Sequence, residues 1–140
     1  MNNKYDVLQK LSASNGVQTG TLFKSLSPEL QSDKEITLKA VQRYGFSLEH
    51  TTAELQNDKD IVMVAVKQSG EALAYASDRL KNDRDIVIAA VSRNGHALEH
   101  ANERFKSDIE IAQLAVDFHP STIEYIAEEI RAELEGGLER

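Results

Sequence analysis

Asp33, Asp58, Asp83 and Asp108 stand 25 residues apart, and Gly20, Gly45, Gly70 and Gly95 keep the same interval. Further columns share the register: Ile36, Ile61, Ile86 and Ile111; Ala40, Ala65, Ala90 and Ala115; Val41, Val66, Val91 and Val116; Leu48, Leu73, Leu98 and Ile123. A fixed period of this size is the mark of a repeat architecture, in which one small supersecondary block cannot bury its apolar face alone and neighbours must stack.

Each copy opens with Asp and charged residues before an apolar run, as in Asp58-Lys59-Asp60-Ile61, and closes at a glycine. An aspartate side chain can accept from the free N–H groups of a first helical turn, and glycine at the far end can supply a left-handed C′ residue, so this punctuation predicts a helix. The run Ile61-Val62-Met63-Val64-Ala65-Val66 is rich in β-branched residues, as strands are, but the stretch from Asp58 to Gly70 is too long for a typical strand. In the first copy Ile36, Ala40 and Val41 stay apolar while Thr37 and Lys39 are polar, a helical spacing. The all-apolar central copies then read as helices packed on both sides.

After the glycine, Leu48, Thr51 and Leu55 fall on one helical face, which predicts a second helix. Ser27, Thr52, Ser77 and Asn102 occupy one repeat position and are all N-cap types, and Pro28 follows the first of them, so the second helix is expected to break there. At the equivalent Ala127 no break is expected. The final helix, opened by a capping-box pattern at Ser121-Thr122-Ile123-Glu124 after Pro120, should run on to about Leu134, ahead of Gly136-Gly137. The expected fold is a single all-α domain over residues 1–140: a short α-solenoid of about four 25-residue two-helix repeats (20–119), an N-terminal cap (1–19), a C-terminal capping helix (120–135) and a tail (136–140). A leucine-rich repeat has units of similar length, but its L-x-x-L-x-L-x-x-N pattern is absent.

The phrases Asn57-Asp58-Lys59-Asp60-Ile61-Val62, Ala90-Val91-Ser92-Arg93-Asn94-Gly95 and the run from Ala72 to Asp83 resemble the bacterial repeat family known as domain of unknown function 4116. The likeness covers about residues 20–118; Thr37 and Lys39 in the first copy, and Gln113 and Pro120 in the last, depart from it. It implies tandem helical repeats in bacterial proteins, some of them large or exported toward host cells, with no established activity and no functional residues to carry over.

Composition narrows the function classes. With 41% hydrophobic and 28% charged residues and no long apolar run, the chain reads as globular and not membrane-spanning. Without cysteine there can be no disulfide framework and no thiolate metal site, and Met1–Lys10 carries no secretory pattern, so a cytoplasmic setting is expected, with export to a host cell without a classical signal as the alternative. The net charge of −7 falls wholly on residues 71–140, and no basic cluster is present to displace counterions from phosphates, so nucleic-acid binding is not expected.

One motif invites chemistry. His96-Ala97-Leu98-Glu99-His100 matches H-x-x-E-H, in which two histidines one α-helical turn apart bind zinc and the glutamate acts as base. Glu49-His50 occupies the same repeat position with no histidine four residues earlier, so duplication accounts for Glu99-His100 and leaves only His96 to chance. The repeated aspartates read as caps. No phosphate-cradling loop, nucleophile elbow or cofactor motif appears. Glu124, Glu128, Glu129, Glu133 and Glu135 read as a solvated capping face, with attraction of a basic partner as the alternative.

A solenoid keeps its core columns alike and lets its binding face vary. The copies differ most at Gln42-Arg43-Tyr44, Lys67-Gln68-Ser69, Ser92-Arg93-Asn94 and Asp117-Phe118-His119, and at Phe46, Glu71, His96 and Ser121, while His50, Tyr75, His100 and Tyr125 all bear rings. The rings lie at the core's edge, where they can cover the seams between repeats or form an exposed row; the seam is favoured because amphipathic rings bury their bodies. The candidate partner-binding residues are therefore Arg43, Tyr44, Phe46, His50, Gln68, Tyr75, Arg93, His96, His100, Phe118 and Tyr125. The expected function is a non-catalytic module, monomeric or weakly oligomeric, that binds a protein or peptide. The alternatives are a zinc hydrolase using His96, Glu99 and His100, and a structural or regulatory piece of a larger assembly.

Overall fold

A computed structural model describes residues 3–138, the side chains at 129, 137 and 138 excepted. It is all helical, with no strand among the described residues. Two helices, α1 (Lys4–Ala13) and α2 (Gly16–Lys24), precede a short α3 (Pro28–Gln31). Three units of similar plan follow: α4 (Lys34–Arg43), the 3-10 helix η1 (Gly45–His50) and α5 (Ala53–Gln56); α6 (Lys59–Gln68), η2 (Gly70–Tyr75) and α7 (Asp78–Lys81); α8 (Arg84–Arg93), η3 (Gly95–His100) and the 3-10 turn η4 (Glu103–Ser107). The last unit is α9 (Ile109–Phe118), η5 (Pro120–Tyr125) and α10 (Glu128–Leu138). The long helices α4, α6, α8 and α9 pack in sequence as one layer, and the 3-10 helices stack beside them as a second.

The repeated columns are the core: Ile61, Ala65, Val66 and Leu73 are fully buried, as are their counterparts Ile86, Ala90, Val91 and Leu98. Val7, Leu11, Phe23, Ile36 and Ala40 form a separate cluster that ties α1 and α2 to α4. Aligned on their first residues, α1 exposes Asp6 and Lys10 where α4 buries Ile36 and Ala40, the polar outer face of a capping unit. The helix α2 crosses the boundary placed at residues 19 and 20.

Each long helix starts as the sequence requires: the Asp33, Asp58, Asp83 and Asp108 carboxylates accept from the N–H groups of Ile36, Ile61, Ile86 and Ile111 at 3.0 to 3.3 Å. The other carboxylate oxygen reaches the preceding unit. Lys4 bridges Asp33 and Glu35, Lys34 bridges Asp58 and Asp60, Lys59 bridges Asp83 and Asp85, and Arg84 bridges Asp108 and Glu110. Burial pushes the Asp58 and Asp83 carboxyls up, but the lysine ammonium and the capped N–H together outweigh it and hold both below the ordinary carboxylate value; at Asp108 the Arg84 guanidinium is the leading cause.

Three expectations are corrected. The glycines are not left-handed C′ residues, for no described residue has a positive φ. The long helices end one residue earlier on extended Tyr44, Ser69 and Asn94, and the glycine begins the next element. What demands glycine is the following unit: a Cβ on Gly45 would lie 2.5 Å from the Ala65 carbonyl oxygen, and one on Gly95 2.7 Å from that of Ala115. In the fourth unit Pro120 stands in the glycine's place.

Second, the element after the glycine is a 3-10 helix, closed by bonds such as Ser47 N–H to Tyr44 O and Ala72 N–H to Ser69 O, both 2.9 Å. Third, the chain breaks before Ala127 as it does before Ser77 and Asn102, and α10 begins only at Glu128. The cause is a repeated bond between units: the N–H groups of Ser77, Asn102 and Ala127 donate to the carbonyls of Gln56, Lys81 and Lys106, each at 3.0 Å. A capping side chain adds to this at Ser77 and Asn102, Thr52 has the cap alone, and the break at Ala127 forms without one. Helix α10 then runs through Gly136 and Gly137 instead of ending ahead of them; 139 and 140 of the expected tail lie outside the described residues.

Candidate binding face

The candidate residues divide into two sets. Arg43 donates from Nε and Nη2 to the Ser14 carbonyl at 2.9 and 2.7 Å, and Arg93 from Nε to the Gln68 carbonyl at 3.3 Å. The Gln68 amide oxygen accepts from the Gly45 N–H at 2.6 Å. Tyr44 lies over Gly20, where a Cβ would come within 2.7 Å of its ring. These four residues come from two repeat positions that vary between copies, yet each joins its unit to the one before it; variation there follows the local seam.

The second set lies on the stacked 3-10 helices. Phe46 meets Tyr44 at 5.6 Å and, across the seam, Tyr75 at 6.3 Å, both edge to face. Two units further on, His96 meets Tyr125 at 6.0 Å, edge to face, again across a seam. His96 also tilts against His119 at 5.1 Å, and its Nε2 lies 3.3 Å from the Ser121 hydroxyl. Phe46, His50, Tyr75, His96, His100 and Tyr125 are all half-buried, and Tyr75 and Phe46 pack against the core. Ring pairs thus cover two of the seams, Phe46 with Tyr75 and His96 with Tyr125, with the half-buried rings lying along one face. Phe118 stands apart, 56% exposed at the end of α9.

At one end of this face the α-helix α2 replaces a 3-10 helix, which leaves His50 without a ring from the unit before it. A depression of about 200 Å³ opens there, bounded by Val17, Lys24, Phe46, Glu49 and His50 among others. The neighbourhood of Tyr125 is acidic: burial, then the carboxylates of Glu99, Glu124 and Glu71, push its phenol above the ordinary tyrosine value. Sequence reasoning missed His119, whose Nδ1 accepts from the Gly95 N–H at 3.0 Å, and it missed these glutamates as a group. The signal that could have found two of these glutamates was the column Glu49, Glu99 and Glu124, which keeps its charge in three of four copies; Glu71 lies in a different, variable column.

The H-x-x-E-H match sits on η3. At three residues per turn, side chains four apart diverge by about a third of a turn, and His96 turns to His119 and Tyr125. Among the described residues no group of three or more His, Asp or Glu could hold a metal ion, and no helix is long and apolar enough to cross a membrane.

The family described as Domain of unknown function (DUF4116) matches the sequence four times in tandem, over residues 16–56, 38–81, 58–106 and 83–131. The chain belongs to the DUF4116 family. Each DUF4116 match is longer than one 25-residue unit and overlaps the next, so the family's pattern takes in a unit together with part of its neighbour, the seam included. No curated protein and no solved structure matches the chain.

Proposed function

We propose that this DUF4116 chain is a non-catalytic module that docks a protein or peptide on its stacked 3-10 face. The supporting observation is the ring contact across seams, Phe46 with Tyr75 and His96 with Tyr125, which gives neighbouring units one shared apolar surface with polar edges. Half-buried rings held rigid by their neighbours suit an interface, because they add contact area at little cost in side-chain entropy. Docking, rather than zinc chemistry, also accords with the 3-10 geometry of residues 96–100.

Site-specific photo-crosslinking tests this reading. A photoreactive side chain placed at Tyr75 or His96 should capture a partner from native lysate, whereas one at Met63, on the long-helix layer, should not. Equal capture from Met63, or none from the two ring positions, would overturn it.

A further inference from the structure

Two glycines buried at seams give their N–H groups to different acceptors in the next unit. The Gly45 N–H donates to the Gln68 amide oxygen at 2.6 Å, and the Gly95 N–H donates to Nδ1 of His119 at 3.0 Å. An amide oxygen accepts at any pH. A ring nitrogen accepts only while it carries no proton, so the second bond requires the neutral imidazole with its hydrogen on Nε2.

The fold leaves a charged ring little room to adapt. A Cβ built on Gly95 would lie 3.1 Å from His119 Nδ1 and 2.7 Å from the Ala115 carbonyl oxygen, so the two units are already in close contact. The His119 backbone is fixed as well: its N–H donates to the Ala115 carbonyl at 2.9 Å, and its carbonyl accepts from the Thr122 N–H and hydroxyl at 2.9 and 2.7 Å. A proton on Nδ1 would set donor against donor and leave the buried Gly95 N–H without an acceptor. His96 adds to this, because its ring faces His119 across the seam at 5.1 Å and two charged rings at that distance repel.

Other charged groups on the elements packed around His119 are engaged elsewhere. Arg93 of α8 donates to the Gln68 carbonyl, Asp117 of α9 accepts from Gln113, Lys106 of η4 pairs with Glu103, and Arg131 of α10 donates to the carbonyls of Glu124 and Ile126. Glu99 and His100 of η3 and Glu124 and Tyr125 of η5 complete the titratable groups at this end, and among the described residues none of them is hydrogen-bonded to the His119 ring. Further bonds between the third and fourth units tolerate mild acid. Arg84 holds the Asp108 carboxyl below its ordinary value, the Ala127 N–H and Lys106 carbonyl carry no charge, and the Ser121 hydroxyl can accept from a charged His96 as readily as it donates to a neutral one.

We propose that the seam between the third and fourth units is a pH-sensitive clasp, closed by neutral His119 and loosened when that ring takes a proton. The open seam accepts a proton that the closed seam excludes. Its stability is therefore complete near pH 8 and declines as pH falls through the range in which histidine charges, to about pH 5. Loosening would part the His96 and Tyr125 rings and so alter the 3-10 face at this end alone.

The test is native-state hydrogen exchange of the full ¹⁵N-labelled chain at about pH 8 and about pH 5, with each amide's protection taken against its unstructured rate at the same pH. On acidification, protection of the Gly95 and α9 amides should fall about tenfold more than that of α4 and α6. His119→Asn places an amide oxygen where Nδ1 stands and should abolish the difference, whereas His96→Gln should keep most of it. Long-range ¹H–¹⁵N spectra of the wild type at pH 8 should show His119 Nδ1 without a proton; if the asparagine variant does not fold, this measurement and the wild-type exchange decide. Equal loss of protection in all the long helices, an undiminished loss in His119→Asn, abolition of the effect by His96→Gln, or a proton on Nδ1 at pH 8 would each overturn the proposal.

Discussion

A side chain at Gly45 has nowhere to go. Its Cβ would meet the Ala65 carbonyl oxygen at 2.5 Å and the Gln68 amide oxygen at 2.9 Å, and the first of these is backbone of the neighbouring unit. Gly45→Ala should therefore wedge two repeats apart and cost about 2 kcal/mol, the scale of overpacking in a close-fitted interior. Gly136 gives the opposite case: it lies within α10, and a Cβ there would meet nothing within 4 Å, so Gly136→Ala should leave stability unchanged or raise it by up to about 1 kcal/mol. Urea melts at constant m-value check both; a Gly45→Ala protein as stable as wild type would refute the close-approach account. The repeat made glycine's importance legible, but a left-handed cap and a close approach both place glycine at a helix end. Only the position of the next unit tells them apart, and periodicity does not contain it. The candidate residues show the same limit: variable columns were visible, yet Arg43 and Gln68 vary because their seams differ.

At the scale of elements, the long helices were legible because their starts rest on local chemistry, an aspartate capping its own first turn. The 3-10 helices were not, because Leu48 and Thr51, three residues apart, fit both a 3.6-residue and a three-residue period. The break at Ala127 was hidden for a different reason: a hydrogen bond from the unit before makes it, and no residue in the segment itself announces it. Caps and bridges can be separated experimentally at Asp83. Asparagine keeps the cap acceptor and loses the ion pair with Lys59, so Asp83→Asn should cost about 0.5 kcal/mol near neutral pH. Asp83→Ala loses both and should cost about 1.5 kcal/mol. The native carboxyl titrates below its ordinary value of 3.8, so the ion-pair contribution is complete above that value and fades as pH falls through the native range. The gap between wild type and Asp83→Asn should accordingly narrow as pH falls below 3.8 through the native carboxyl's titration, while the gap between Asp83→Asn and Asp83→Ala persists. Melts at pH 7 and in that acid range decide it, and a gap that stays constant across both would exclude the bridge as its source.

Over the described residues the molecule is a line of units, each packed chiefly on its neighbours, and stability in such a chain is a sum of unit and seam contributions that need not fail together. The apolar core reflects this: Val7, Leu11, Phe23, Ile36 and Ala40 form one cluster, and a second runs from Val41 through Leu134. Phe23 is the largest side chain of the first cluster and is fully buried, so Phe23→Ala should cost about 3 to 5 kcal/mol of local packing. Because α1 and α2 reach the rest of the chain mainly through α4 and η1, that loss should appear as opening of the N-terminal cap. Native-state hydrogen exchange should show protection falling for amides of α1, α2 and α4, while amides of α8 and α9 keep wild-type rates until global unfolding is reached. Leu134→Ala should give the mirror image, loosening α10 and leaving α1 and α2 unaffected. A uniform loss of protection from end to end in either variant would mean that the four units unfold as one block, and the nearest-neighbour picture of the solenoid would fail.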